Sequence, residues 1–200
     1  MEFSADQRFV VIQAWGSIRV VDIGSLQVVW TFSSNSRELI IPVSIHGASI
    51  NDLFLISYAT KEPFRGNSFN DLVNPRIHNE LVDVSTGQLQ SSWESLDIPQ
   101  SLSADGKIAA VSDWGANNPL VEIEIVDTQT GKKLKTLHSA YRFKKPWRAK
   151  PTGRVNGRFL GNDVILLSPD EHVDSAGHRS GETLKLMRVS DGRPQREFRP

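Results

Sequence analysis

Ser103-Ala-Asp-Gly-Lys-Ile-Ala-Ala-Val-Ser-Asp-Trp-Gly115 has an echo 99 residues earlier, in Ser4-Ala-Asp-Gln-Arg-Phe-Val-Val-Ile-Gln-Ala-Trp-Gly16. Ser, Ala, Asp, Trp and Gly coincide, and the apolar block between them has the same length. Self-similarity at that distance marks a repeat architecture, which has to be settled before any single element is assigned.

A second motif follows each copy. Val21-Asp22 precedes Ile-Gly-Ser-Leu-Gln, and Val82-Asp83 precedes Val-Ser-Thr-Gly-Gln. Val126-Asp127 precedes Thr-Gln-Thr-Gly-Lys, and Met187-Arg188 precedes Val-Ser-Asp-Gly-Arg. Take Asp22, Asp83, Asp127 and Arg188 as position zero. Three residues before it stand Arg19, Glu80, Glu124 and Lys185, all charged. Two before stand Val20, Leu81, Ile125 and Leu186, all apolar. Ten after stand Phe32, Trp93, Leu137 and Phe198, all large and apolar.

The physics of the repeat is that of a β-hairpin. Val121-Glu-Ile-Glu-Ile125 alternates with period two, as a half-buried strand does. In Asp-x-x-Thr-Gly the carboxylate can bond turn amides and the glycine can take positive φ. The next strand brings the large residue at plus ten back over the sheet. Upstream, Ser-Ala-Asp-Gly is another turn, and the run Ile108-Ala-Ala-Val111 suits a strand buried on both faces. Each unit therefore reads as four antiparallel strands, A to D. The expected spans are 1–4, 9–15, 17–22 and 27–32 in unit one, and 39–45, 52–58, 78–84 and 88–93 in unit two. Unit three is expected at 97–102, 107–112, 120–127 and 133–137, and unit four at 155–160, 163–168, 182–189 and 194–198. No amphipathic helix is visible. A face-to-face β-sandwich also has many short strands, but the long-range echo argues against it.

The repeat unit resembles that of a WD-repeat-like β-propeller. The marks are the Ser-Ala-Asp-Gly turn at 103–106, the Val-Asp-x-x-Thr-Gly turn at 126–131 and the four-strand unit, and the resemblance covers nearly the whole chain. No Gly-His pair opens a unit and no Trp-Asp pair closes strand C, so the likeness is to divergent bacterial-type propellers rather than strict repeats. It implies an all-β fold, a propeller or propeller arc of about four blades, each a four-stranded antiparallel sheet. The chain is then one partial propeller domain, with blades at approximately 1–34, 35–95, 96–140 and 141–200. Propellers commonly have about 4–8 blades. Four is few, so the arc is expected to complete a ring with further blades or with another chain.

Composition bounds the function. The chain has 200 residues, 38% of them hydrophobic, with 23 basic and 23 acidic residues and so no net charge. That excludes a disordered polyelectrolyte and a globally basic nucleic-acid binder. No apolar run approaches the roughly 18 residues of a membrane span, so no membrane association is expected. No basic region followed by an apolar stretch opens the chain, so no signal peptide is expected and the chain reads as soluble. The absence of cysteine removes thiolate nucleophiles and cysteine-ligated metal. Gly-x-Ser-x-Gly and phosphate-cradling glycine loops are also absent. No cofactor is expected.

In a propeller the B–C and D–A connections emerge on one face and the A–B and C–D turns on the other. Here the second set is uniformly short. The insertions Ala59–Ile77, Asp113–Pro119, His138–Arg154 and Pro169–Gly181 all belong to the first set. Long irregular loops in a compact domain usually carry function, so recognition is expected on that face.

The most distinctive insertion is His138-Ser-Ala-Tyr-Arg-Phe-Lys-Lys-Pro-Trp-Arg-Ala-Lys-Pro-Thr-Gly-Arg154. No acid occurs between Asp127 and Asp163, and ten of the 23 basic residues fall there. Arg142 and Arg148 can fork onto a carboxylate or phosphate, Lys144 and Lys145 add charge, and Tyr141 and Trp147 offer stacking surfaces. The plainer alternative is that Phe143 and Trp147 pin the loop while the cations stay solvated. In Lys61-Glu-Pro-Phe-Arg-Gly-Asn-Ser-Phe-Asn-Asp71, Phe64 and Phe69 serve as anchors, and Arg65 and Asn67 can reach a ligand. Pro169-Asp-Glu-His-Val-Asp-Ser-Ala-Gly-His178 offers His172, Asp174 and His178 as nitrogen and oxygen ligands, but at no established metal spacing. His46, His78 and His138 are isolated and are expected to find local hydrogen bonds. The leading expectation is a non-catalytic scaffold that binds a protein or peptide, acidic by complementarity to the basic loop, with nucleic acid not expected. The alternative is a propeller-type enzyme or a cofactor or metal binder with a polar site on the same face.

Overall fold

The computed structural model describes residues 1–4, 7–14, 17–33, 39–61, 76–112, 122–138, 155–169 and 184–198. These form four antiparallel sheets of four strands, each in sequential order. The first holds β1 (Glu2–Phe3), β2 (Phe9–Ala14), β3 (Ser17–Asp22) and β4 (Gln27–Ser33). The second holds β5 (Leu39–Gly47), β6 (Leu53–Lys61), β7 (Ile77–Asp83) and β8 (Gln88–Ser95). The third holds β9 (Ile98–Leu102), β10 (Ile108–Ser112), β11 (Glu122–Asp127) and β12 (Lys133–His138). The fourth holds β13 (Val155–Phe159), β14 (Val164–Pro169), β15 (Leu184–Arg188) and β16 (Pro194–Phe198). Strand ends lie within one to three residues of the expected spans. No helix among the described residues is long and apolar enough to cross a membrane, which says nothing of a β-barrel.

The first strands of successive sheets pack together, β1 on β5, β5 on β9 and β9 on β13. This is the radial arrangement of propeller blades, with the first strand of each blade at the axis. The apolar core accordingly lies between blades. Phe9, Val11, Ile18 and Val20 of blade 1 meet Phe54, Ile56 and Val82 of blade 2. Leu55 and Leu81 of blade 2 meet Leu102, Ala109 and Val126 of blade 3. Ile123, Ile125 and Leu137 of blade 3 meet Phe159, Ile165 and Met187 of blade 4. Strand alternation sends odd and even positions to opposite faces, so one strand feeds two of these cores.

The echo between the two Ser-Ala-Asp stretches is turn chemistry. Phe9 N–H donates to Ser4 Oγ at 2.8 Å, and Ile108 N–H donates to Ser103 Oγ at 3.1 Å. In both, the backbone N–H of the serine donates to the carbonyl of that same partner at 2.9 Å. Both turns use a left-handed residue, Gln7 at φ 60° and Gly106 at φ 76°.

The position-zero aspartates close the C–D turns. Asp22 Oδ1 accepts from Ser25 N–H, Asp83 Oδ1 from Ser85 and Thr86 N–H, and Asp127 Oδ1 from Thr130 N–H. The Ser25 amide, helped by Arg8, holds Asp22 below the usual carboxylate range. In blade 4, where Arg188 replaces the aspartate, Asp163 reaches over from the A–B turn and accepts from Ser190 N–H. Every C–D pair shifts register at the same place, Val20/Val21, Leu81/Val82, Ile125/Val126 and Leu186/Met187. A bulge repeated in every blade adds the same local twist to each outer strand.

Blade 2 carries a buried polar network. Ser57 Oγ donates to Asn79 Oδ1 at 2.8 Å, and Asn79 Nδ2 donates to Ser95 Oγ at 2.9 Å. It ties β6, β7 and β8 together inside the sheet. The large residues at plus ten differ in burial. Leu137 is fully buried and Trp93 and Phe32 half-buried, but Phe198 is 37% exposed, because among the described residues no further blade covers blade 4.

Candidate functional site

Antiparallel order sets which connections share an end. The segments between β6 and β7, β10 and β11, β14 and β15, and β12 and β13 all leave from one end of the blades. The A–B turns 48–52, 103–107 and 160–163 and the C–D turns 23–26, 84–87, 128–132 and 189–193 sit at the other. Arg65 and Asn67 fall in 62–75. Tyr141, Arg142, Lys144, Lys145, Trp147 and Arg148 fall in 139–154. His172, Asp174 and His178 fall in 170–183. All of these lie outside the described residues. Among the described residues no group of three His, Asp or Glu side chains is placed so that it could hold a metal ion.

The described part of the loop-bearing end holds a polar and aromatic cluster in blade 2, where β6 leaves and β7 returns. Tyr58 Oη donates to Glu80 Oε1 at 2.9 Å. The Tyr58 ring meets Phe32 of blade 1 at 4.5 Å between centroids and stacks on His78 at 5.3 Å. Glu94 pairs with Arg76 at 3.0 Å and lies 3.5 Å from His78 Nδ1. Burial pushes the Glu80 carboxyl up, against the opposing effects of the Tyr58 hydroxyl and His78. Burial and the Glu80 carboxylate together push the Tyr58 phenol up. The Arg76 guanidinium, paired with Glu94, is exposed beside this cluster. Sequence reading passed over it, because Tyr58 and Glu80 are 22 residues apart and only strand pairing joins them.

A second feature lies on the axis. A cleft of about 480 Å³ is lined by His46, Gly47 and Ser49, by Gln100 to Leu102, and by Gly157 to Phe159 with Gly161. It sits where the inner strands β5, β9 and β13 run into the A–B turns. His46 Nε2 donates to Pro99 O at 3.0 Å, bridging blades 2 and 3. Burial, with Arg158 nearby, holds the His46 imidazole below its ordinary value against the opposing hydrogen bond to Pro99. Ser101 Oγ donates to Gly157 O at 2.8 Å and accepts from Phe159 N–H at 3.2 Å, bridging blades 3 and 4. The expectation of a local hydrogen bond for His46 is met. Among the described residues the lining contains no carboxylate.

No family model and no curated protein matches this chain. Solved structures do. An oligogalacturonate lyase in complex with manganese aligns at TM-score 0.59 with 9% identity, over 98% of this chain and 52% of that one. The Dos1 propeller aligns at 0.52 with 10% identity, over 99% and 46%. A chain of a mitotic checkpoint complex aligns at 0.51 with 12% identity, over 98% and 49%. This chain spans about half the length of the solved structures it matches. At such identities the likeness speaks to fold alone, and one fold carries enzymes and scaffolds alike. What it establishes is the architecture: four antiparallel blades of a β-propeller.

Proposed function

We propose that this chain is a divergent WD-repeat-like propeller that works as a non-catalytic scaffold and holds an acidic protein or peptide at its loop-bearing end. The observation that supports this reading is the segregation of long and short connections to opposite ends of the blades. The basic segment 139–154 leaves from that end, and Arg142 and Arg148 would fork onto carboxylates while Tyr141 and Trp147 stack. A chain of a mitotic checkpoint complex shares the fold, which is in keeping with a partner-holding role. The test is binding of a labelled poly-glutamate peptide by fluorescence anisotropy. The wild-type chain should bind with an affinity that falls as salt rises, and Arg142→Ala/Arg148→Ala should weaken it at least tenfold. Equal binding by both proteins removes the basic loop from the account.

A second reading is a propeller-type enzyme or metal or cofactor binder. His172, Asp174 and His178 share a connection leaving from the same end, which favours it. Thermal-shift screening against divalent metals and quinones separates the two readings: a metal-dependent rise lost in His172→Ala/His178→Ala supports the second.

A further inference from the structure

Each joint in the arc is built from two unlike faces. The trailing face of one blade receives the leading face of the next, and the chain makes this joint three times. The two end blades each leave one such face uncovered among the described residues. On blade 1 the leading face is open. Phe3 pairs with Val10 and Val10 with Val21, forming an apolar row across the sheet in which Val10 is buried at 9% and its flanks are not. Phe3 is 53% exposed, whereas its counterparts Leu102 and Phe159 are buried. Ile12 is 37% exposed, whereas its counterparts Ile56, Val111 and Leu167 are buried. On blade 4 the trailing face is open. Phe198 is 37% exposed where Leu137 is 1%, and Leu166 and Leu186 are only partly buried where Leu55 and Leu81, or Ala110 and Ile125, are fully buried.

We propose that a second copy of this chain closes on the first, the trailing face of blade 4 in each copy receiving the leading face of blade 1 in the other. One chain carries both halves of a joint that it already makes internally. Two arcs related by a twofold axis give a closed ring of eight blades, within the usual range of about 4–8. The solved propellers that match are each about twice this chain's length. The proposal is independent of what the loop-bearing end binds.

The internal joints say which residues meet. Ser91, eight after position zero, donates to Thr128 O, one after position zero in the next blade. Lys135, again at plus eight, donates to Val189 O, again at plus one. Arg196 holds plus eight in blade 4 and lies over Phe198, and Ile23 holds plus one in blade 1. Arg196 therefore donates to Ile23 O of the second copy. At two of the three joints the residue at plus ten faces the one at plus four in the next blade, Trp93 facing Gly131 and Leu137 facing Gly192, while at the first joint Gly87 faces Val29 and Trp30. Phe198 then meets Leu26 of the second copy. Leu26 is bulkier than those glycines; a Cβ on Gly131 would overlap Trp93, whereas one on Gly192 would make an ordinary contact with Leu137 at 3.8 Å, so the joint at Leu26 follows the looser of the two.

Sedimentation equilibrium on the 200-residue chain should return twice its 22.3 kDa mass. Ile12→Glu and Phe198→Glu, both at exposed positions, should each return the single-chain mass with an unchanged circular dichroism spectrum. The chain has no cysteine, so Leu26→Cys/Phe198→Cys should oxidise to a covalent dimer. Leu26→Cys alone should not cross-link, and a mixture of Leu26→Cys with Phe198→Cys should. A wild-type chain at single mass overturns the proposal, and so does an assembly larger than two chains. Cross-linking of Leu26→Cys alone also overturns it, because like faces would then be meeting.

Discussion

Trp93 and Gly131 are in contact across the joint between blades 2 and 3, the glycine resting on the indole ring with φ +67°. A Cβ at that position would overlap the ring. Two demands therefore fall on one residue: a left-handed backbone and no side chain. Gly131→Ala should cost about 2–4 kcal/mol, the sum of αL strain and overpacking. Gly24→Ala is its control, since Gly24 has no positive φ and a Cβ there meets only Asp22 Oδ1 at 3.3 Å. Urea titration of the two variants checks the contrast.

Ser103 closes its turn with a buried hydroxyl. Removing it leaves the Ile108 N–H, which bonds that oxygen, without its acceptor. Ser103→Ala should therefore destabilise the fold by about 1–3 kcal/mol. Ser103→Thr keeps the oxygen and should recover part of the loss. Thermal unfolding followed at the tryptophans reads both.

Glu80 gives the chain a pH dependence of definite sign. Its carboxyl is held above its ordinary value of 4.5, chiefly by burial. A group with a raised folded pKa contributes stability that is full below the unfolded value and is lost as pH rises through the folded one. Glu80→Gln keeps an oxygen for the Tyr58 hydroxyl and has no charge to desolvate. It should be more stable than the wild-type chain at neutral pH, and the difference should vanish below pH 4.5. Unfolding midpoints across that range decide the matter; a constant difference would remove Glu80 as the cause.

Leu137 and Phe198 occupy the same column but differ in surroundings. Leu137 is 1% exposed and Phe198 37%. Leu137→Ala should cost about 2–5 kcal/mol. In the dissociated single chain, measured on an Ile12→Glu background, Phe198→Ala should cost less than about 1.5 kcal/mol, because little apolar surface is lost from a core. Equal losses would mean that a covered face, not an open one, holds Phe198.

Much of the fold was legible in the residues themselves. The single column of Asp22, Asp83, Asp127 and Arg188 placed the C–D turns, and the Ser-Ala-Asp echo placed two A–B turns, because a tight turn needs particular side chains at particular offsets. Strand ends were less legible. β5 and β6 run on to Gly47 and Lys61, two and three residues past expectation, because pairing with each other and with β7 extends them. The exchange of Gly106 for Gln7 in the same turn is also explained only by neighbours. A Cβ on Gly106 would come within 2.7 Å of Leu53 in the preceding blade, whereas Gln7 belongs to a blade with no predecessor among the described residues.

By itself the sequence determined the repeat unit, its turn chemistry and the separation of long from short connections, all of which depend on local spacing. Tertiary structure alone decided which residues are core and which are edge. Val20 and Leu186 share a column, yet one is sealed and the other only partly buried, because burial in a ring depends on the neighbouring blade and not on the strand. It also decided the Tyr58–Glu80 cluster and the axial cleft, since both assemble groups that no stretch of the chain holds together.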